Sequence, residues 1–369
     1  MNPMAYPLKR EERAVFELRA MYERYGYRPY KMSKFEEYDL YVKNKDFLVS
    51  DGVITFTDTD GRLMALKPDV TLSIIKNTRE QPGGVRKVHY SENVYRVSGN
   101  TRSFKEIMQA GIECIGDIGL YELCEVILLA ARSLEAIGGS YALELSHLGV
   151  IAALLDGLGL EGEVRREVLR CIGEKNADGV RKLCPDADID GVLALIAAHG
   201  APAEVVAALR PWCREGAAKA ALDELQAVTD ILSASGGAGV EIDFSIVNDM
   251  RYYNGIVFRG YLDGVPSGVL SGGQYDKLMQ RMGRRSRAVG FAVYLDLLER
   301  LPDEPRPYDV DAVVLYDEGA DVLALTQAVR MLADSGRSVL ARRTVPEKLK
   351  YRQLLRFRDR GIELLETHD

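Results

Sequence analysis

The chain has 369 residues, 47% hydrophobic and 28% charged, with a formal net charge of -7. That length and balance suit a globular protein of two or three domains with a sizeable core, and the acidic total does not favour nucleic acid as a general ligand. Five cysteines without a CxxC pair and four histidines argue against a structural zinc site. They fit free thiols in a reducing cytoplasm, the N-terminal residues lack an apolar signal core, and no uncharged run approaches the ~20 residues of a membrane span.

Val15, Phe16, Leu18, Met21 and Tyr22 have helical spacing, which predicts a helix over 9–25 ended by Gly26. Alternating stretches at 47–56, 62–66 and 85–97 read as antiparallel strands, broken by turns at Asp51-Gly52, Asp60-Gly61 and Pro82-Gly83-Gly84. A strand is expected over 106–115, an amphipathic helix over 120–138 and a strand over 141–146. From 148 to 235 alanine, leucine and glutamate dominate with helical periodicity, so this stretch is expected to be a helical insert between strand-rich blocks. Strands resume at 240–247 and 256–261, with a turn through Leu262-Asp263-Gly264 and Pro266. A helix at 275–282 and a glycine-broken strand-helix unit at 288–301 follow. Three prolines within 302–307 mark a linker. Beyond it the pattern predicts strand (310–316), helix (321–335), strand (338–342), basic helix (346–358) and strand (362–366), a small α/β unit.

Several segments carry side chains suited to binding. Asp69 and Thr71 set a carboxylate and a hydroxyl two residues apart; on an extended stretch they share a face and can hold an ammonium group between them. Equally, Pro68-Asp69 can begin a turn, with Asp69 capping the helix that follows. Gln109 and Glu113 lie four apart on one face of a strand, where the amide can donate to a carboxylate and Glu113 can accept an imidazole N–H. The alternative for Glu113 is a solvated strand carboxylate. Tyr252 and Tyr253 are adjacent, so in a strand at most one points into a site, and ordinary aromatic core explains them as well. Gly272-Gly273 permits close approach of backbone to a ligand, or makes a plain turn.

In order and spacing these pieces resemble the histidyl type of class II aminoacyl-tRNA synthetase. Leu66-Lys67-Pro68-Asp69-Val70-Thr71 is similar to LRPEGT, and Tyr95-Arg96-Val97-Ser98 stands where that family has F-R-x-E. Phe104-Lys105-Glu106-Ile107-Met108-Gln109-Ala110-Gly111-Ile112-Glu113 resembles YREFHQFGVE, and the segment 246–258 resembles LVRGLDYYTGTVFE. Leu270-Ser271-Gly272-Gly273-Gln274-Tyr275-Asp276 resembles GGRYDGL, 288–297 resembles AVGFAMGLER, and Lys348-Leu349-Lys350-Tyr351-Arg352 looks like KLKKQFKYA. In the segment 26–33, Ser33 replaces the usual proline of the first class II motif, which leaves the dimer interface less secure.

The resemblance implies an α+β fold: a class II synthetase-like antiparallel sheet core (1–147 and 236–301), a helical insertion (148–235), a linker (302–307) and a truncated anticodon-binding-like α/β domain (308–369). It implies a histidine pocket of Asp69 and Thr71 on the α-amino group, Arg96, Gln109, Glu113, Tyr252 lining it and Tyr253 facing the imidazole. The same alignment shows losses: Ser98 replaces a glutamate that helps place ATP, while Asn248, Gln274 and Leu297 replace arginines. Amino-acid activation develops charge on a phosphate, and losing one positioned donor costs ~3 kcal/mol. A pocket kept beside eroded ATP machinery is similar to the regulatory subunits of ATP phosphoribosyltransferase, the first enzyme of histidine biosynthesis. That family implies a non-catalytic cytoplasmic homodimer without metal or cofactor. It joins short-form catalytic subunits in a hetero-octamer and takes L-histidine as feedback effector, without binding tRNA. The rivals are a histidyl-tRNA synthetase or residual adenylating paralogue, and a free-standing amino-acid sensor. The basic residues from Arg342 to Arg360 fit a solvated helix or an acidic protein partner better than a nucleic acid.

Overall fold

Helix α1 (Arg10–Arg24) turns Ala14, Leu18 and Tyr22 to one buried side, and the Glu12 carboxylate accepts the Lys9 backbone N–H at 2.9 Å, satisfying a helix end that would otherwise lack a partner. In the computed structural model, which describes residues 8–44, 52–78, 83–98, 102–236, 239–247, 252–301 and 307–368, this helix opens the larger of two compact units, Lys9–Leu301. The short elements β1 (Arg28–Pro29), β2 (Phe35–Glu37), α2 (Tyr38–Lys43), β3 (Thr55–Thr57), β4 (Leu63–Leu66) and α3 (Val70–Asn77) follow. The long hairpin β5 (Val85–Val97) and β6 (Phe104–Gly116), helix α4 (Leu120–Ile137) and strand β7 (Tyr141–His147) come next.

The stretch after β7 is helical, as its composition predicts: α5 (Leu148–Gly157), α6 (Gly162–Gly173), α7 (Ala177–Leu183), α8 (Asp190–Ala197), α9 (Pro202–Leu209) and α10 (Gly216–Ala234), with β8 (His199–Gly200) between α8 and α9. Leu222, Leu225 and Val228 of α10 belong to the same apolar cluster as Leu143 and Leu145 of β7. His147 joins the two regions, accepting the Gly149 N–H on Nδ1 at 3.0 Å and meeting Glu224 through Nε2 at 2.9 Å. The chain then returns through β9 (Val240–Asp243), β10 (Ile256–Leu262), β11 (Leu270–Gln274), α11 (Asp276–Arg281), β12 (Arg287–Tyr294) and a 3-10 helix (Leu295–Arg300).

Nine strands form one sheet in the order β1-β5-β6-β12-β11-β10-β7-β9-β8, and β2, β4 and β3 form a separate three-stranded sheet. In the large sheet β1 runs parallel to β5 and β7 parallel to β9, and the other neighbours are antiparallel. Alternation along each strand gives its two faces different work. One face meets α1 and α4: Phe291 packs edge-on against Tyr22 and Phe258, and a Cβ at Gly260 would press into Leu134 of α4. The other face carries Gln109, Glu113, Gly290, Ala292, Ser271 and Arg259.

The strand expected at 47–56 appears only from Thr55, with 47–51 outside the described residues, and the strand expected at 240–247 ends at Asp243. Gly272-Gly273 lies inside β11 rather than in a turn, paired with β10 and β12 on its two sides. The expected linker falls largely on 302–306, outside the described residues, as do Pro82 and Asp51 of the expected turns.

The second unit contains β13 (Val310–Leu315), α12 (Val322–Asp334), β14 (Val339–Arg342), β15 (Tyr351–Arg358) and β16 (Gly361–Thr367), in sheet order β14-β13-β15-β16. Here the expected basic helix at 346–358 is wrong: β15 is a strand, parallel to β13 and antiparallel to β16. Period two is the pattern that prevails, because Leu355 and Phe357 turn inward to Ala312, Val314 and Leu325 while Arg352, Arg356 and Arg358 turn outward. The basic residues therefore do not share one helical face, and Arg343 and Arg360 pair with Glu318 and Asp321 at 3.1 Å each. Among the described residues, no helix is long and apolar enough to cross a membrane.

Phe258 is 1% exposed at the centre of the helix-covered face. Phe258→Ala is expected to lower the unfolding free energy by ~3–5 kcal/mol. A denaturant titration showing a loss below about 1 kcal/mol would contradict this packing.

Candidate functional site

The open face of the sheet bears a cavity of about 260 Å³ lined by Asp69, Thr71, Tyr90, Arg96, Gln109, Glu113, Tyr252, Tyr253, Arg259, Ser271, Tyr275 and Tyr294. All seven side chains expected to bind histidine line it. The cavity exists because small residues sit where large ones would fill it. A Cβ on Gly111 would meet the Tyr90 hydroxyl, one on Gly290 would overlap the Glu113 carboxyl, and one on Gly273 would crowd Tyr253. The volume is below the ~300–1,000 Å³ of pockets for drug-sized ligands and suits one small metabolite.

Glu113 is the centre of the arrangement. It is 2% exposed, which removes the solvated-carboxylate alternative. The Thr71 hydroxyl donates to Oε1 at 2.6 Å and the Tyr275 hydroxyl donates to Oε2 at 2.5 Å. Burial pushes the Glu113 carboxyl up to about 8; the two hydroxyls oppose the rise, and the nearby Asp69 charge adds to it. Both hydroxyls can also accept, so they suit the protonated form too.

Asp69 and Thr71 do not lie on an extended stretch. Asp69 caps α3, accepting the Leu72 N–H on Oδ1 at 2.8 Å, and Thr71 sits in the first turn of that helix. The helix is what turns both polar groups toward β6, so the capping and pocket-lining readings hold together. Burial also raises the Asp69 carboxyl, opposed by the Leu72 N–H and the Arg96 charge. Arg96 donates from Nε to the Pro68 carbonyl at 2.9 Å, tying β5 to the segment before α3. Lys67 was not expected in the site's support: it is 0% exposed and its Nζ donates to Glu92 on β5 at 2.7 Å. A buried lysine beside a strand glutamate is visible only once β4 and β5 are brought together.

Tyr252 and Tyr253 both line the cavity, where the resemblance puts them. They precede β10 rather than belonging to a strand, so strand alternation does not separate them. Their ring centroids are 4.7 Å apart, and Tyr252 lies 6.0 Å from Tyr275. Tyr275 was missed, although it belongs to the quoted glycine-rich segment; its direct bond to Glu113 follows from α11 beginning where β11 ends. Tyr294, Ser271 and Arg259 were missed as well, and the strand parity of β10, β11 and β12 would have found them.

The altered positions place no cation in the cavity. Gln274 points to the other side, where Oε1 accepts the Ile256 N–H at 2.7 Å. Leu297 packs against the main apolar core from the 3-10 helix, and Arg300 is exposed. Ser98 closes the β5–β6 hairpin, its N–H on the Ser103 carbonyl at 2.8 Å. Asn248 lies outside the described residues. Tyr294, which aligns with the last glycine of AVGFAMGLER, adds a phenol to the cavity wall. Among the described residues, no group of three or more His, Cys, Asp or Glu side chains could hold a metal ion.

The family model for histidyl-tRNA synthetase matches residues 5–298. The ATP phosphoribosyltransferase regulatory subunit of Moorella thermoacetica is 32% identical over 304 residues, covering 77% of this chain and 76% of that protein. A crystal structure of an ATP phosphoribosyltransferase regulatory subunit/histidyl-tRNA synthetase from Bacillus halodurans is similar with a TM-score of 0.76 at 23% identity, covering 96% of this chain and 99% of that one. A chain of the ATP phosphoribosyl transferase complex from Thermotoga maritima is similar with a TM-score of 0.62 at 21% identity, covering 76% of this chain and 96% of that one. At these identities the two structures speak for the fold.

The Glu113 titration gives a test independent of any ligand. Its folded value of about 8 lies above the ordinary 4.5, so between those values the folded chain holds the extra proton and stability falls as pH rises. Glu113→Gln keeps the shape and removes the titration. Between roughly pH 5 and 8 the variant is expected to gain on the wild type by up to ~1.4 kcal/mol per pH unit, levelling off above. Denaturant melts across pH that show a constant difference would contradict the raised value.

Proposed function

This chain belongs to the histidyl-tRNA synthetase family, among the relatives known as ATP phosphoribosyltransferase regulatory subunits, and from that premise we propose that it regulates ATP phosphoribosyltransferase without catalysing a reaction itself. The observation that carries the reading is a cavity that keeps groups for histidine while Gln274 and Leu297 turn their side chains elsewhere. An ammonium group fits beside Asp69 and Thr71, whose hydroxyl oxygen can still accept while it donates to Glu113, and an imidazole fits among Glu113, Tyr253 and Tyr275. Glu113 can present either an acceptor or, when protonated, a donor to a ring nitrogen.

Adenylation needs positioned cations on a phosphate whose charge grows in the transition state. Ser98, Gln274 and Leu297 supply none, while the arginines that do line the cavity are engaged by the protein, Arg96 with the Pro68 carbonyl and Asp69 and Arg259 with the Tyr261 hydroxyl. Binding without activation is the reading this favours, and it meets the requirement for an effector site. Histidine acts as feedback inhibitor if it binds the inhibited assembly more tightly than the active one, and it biases that equilibrium only by the difference. In this reading the chain pairs with itself and joins short-form catalytic subunits in a hetero-octamer.

Phosphoribosyl transfer to ATP by a short-form catalytic subunit is expected to require this chain and to fall as histidine is added. Glu113→Ala is expected to retain activation while shifting inhibition to at least tenfold higher histidine, the scale of a lost hydrogen bond to a charged or buried partner. No activation of a folded catalytic subunit, or histidine-dependent exchange of pyrophosphate into ATP by this chain, would overturn the proposal.

A further inference from the structure

The cavity is lined by two carboxyl groups, Asp69 and Glu113, and by two arginines, Arg96 and Arg259. On the open face of the sheet, the register aligns Arg259 with Ser271, Ser271 with Ala292, and Ala292 with Gly111. The adjacent row aligns Val257 with Gly273, Gly273 with Gly290, and Gly290 with Glu113. Between the strands of Glu113 and Arg259 the floor is therefore glycine, alanine and serine. Three strand spacings of ~4.8 Å separate those two backbones. Both side chains line the same cavity, one from each end of that floor.

Arg259 is held rather than loose. Its Cγ and Cδ lie over Gly268, where a Cβ would come within 2.8 Å of them, and its side chain hydrogen-bonds the Tyr261 hydroxyl. The cavity's other lining cation, Arg96, faces Asp69 and the Pro68 carbonyl. The two arginines thus stand at different places: Arg96 beside the group that receives an ammonium, and Arg259 across the small-residue floor from Glu113.

We propose that Arg259 binds the α-carboxylate of the ligand, so that the site selects a free α-amino acid with an imidazole side chain over the same molecule with its carboxylate neutralised. The inference rests on the reading of this cavity as a histidine site and adds a residue to it. It also gives the carboxylate a partner from β10 in a cavity to which position 274 contributes no cation. A planar guanidinium suits this work because it can meet both carboxylate oxygens at once.

Calorimetric titration of the whole chain with L-histidine and with L-histidinamide tests it. Wild type is expected to prefer histidine by about tenfold to a hundredfold. Arg259→Gln is expected to reduce histidine to the affinity of histidinamide and to leave histidinamide within about twofold of its wild-type value. Arg259→Lys is expected to keep part of the preference, and it replaces the glutamine variant if thermal melts show that one unfolded. A variant that binds histidine with the wild-type preference overturns the role of Arg259 and leaves the histidine site standing. Wild type that binds neither compound overturns the histidine reading, and this inference with it.

Discussion

A carboxyl group held out of water is the constraint around which the larger unit is arranged. Glu113 can sit at 2% exposure only because two hydroxyls reach it, and each comes from a different part of the chain. Thr71 arrives from the first turn of α3, and Tyr275 from the junction of β11 and α11. The sheet must also leave room above the carboxyl, which is why glycine stands beside it at position 290. Removing either hydroxyl leaves part of the carboxyl unmatched inside the protein, a loss of ~1–3 kcal/mol.

The support around that carboxyl is itself ionic. The buried Lys67 pairs with the half-buried Glu92, joining the end of β4 to β5, and Arg96 holds the Pro68 carbonyl one step further along. Such pairs add little net stability compared with apolar packing, but losing Glu92 would leave the Lys67 charge buried without its partner, which is costly. Their effect here is positional: they fix where α3 begins, and therefore where Asp69 and Thr71 point. Selectivity in a small cavity depends on such fixed placement more than on raw attraction.

An effector site and an activating site differ in what they ask of charge. Activation needs cations where a phosphate becomes more negative, whereas binding needs only partners for groups the ligand already carries. Glu113, Asp69 and the tyrosines meet the second demand. The synthetase positions at 274 and 297 have been turned into structural roles instead: Gln274 completes a backbone hydrogen bond, and Leu297 adds to the core. Neither side chain adds charge to the cavity.

Much of this was legible in the residues. Period-two alternation located β5, β6, β7 and β10, helical periodicity located α1, α4 and the run from α5 to α10, and the spaced motifs named all the expected pocket side chains. Alternation also marked β15, where the weight of basic residues suggested a helix, so that error was one of reading rather than of information. The sequence determined which side chains could recognise an amino acid, because residue type and local spacing are properties of the chain alone. Tertiary structure decided the rest: that Asp69 caps a helix while facing the cavity, that Tyr252 and Tyr253 both reach it, that Gln274 turns away, and that Tyr275, Lys67 and Arg259 belong to the site. Each of those depends on strands distant in sequence lying side by side in a particular register, and burial, direction and electrostatic environment exist only after that pairing has formed.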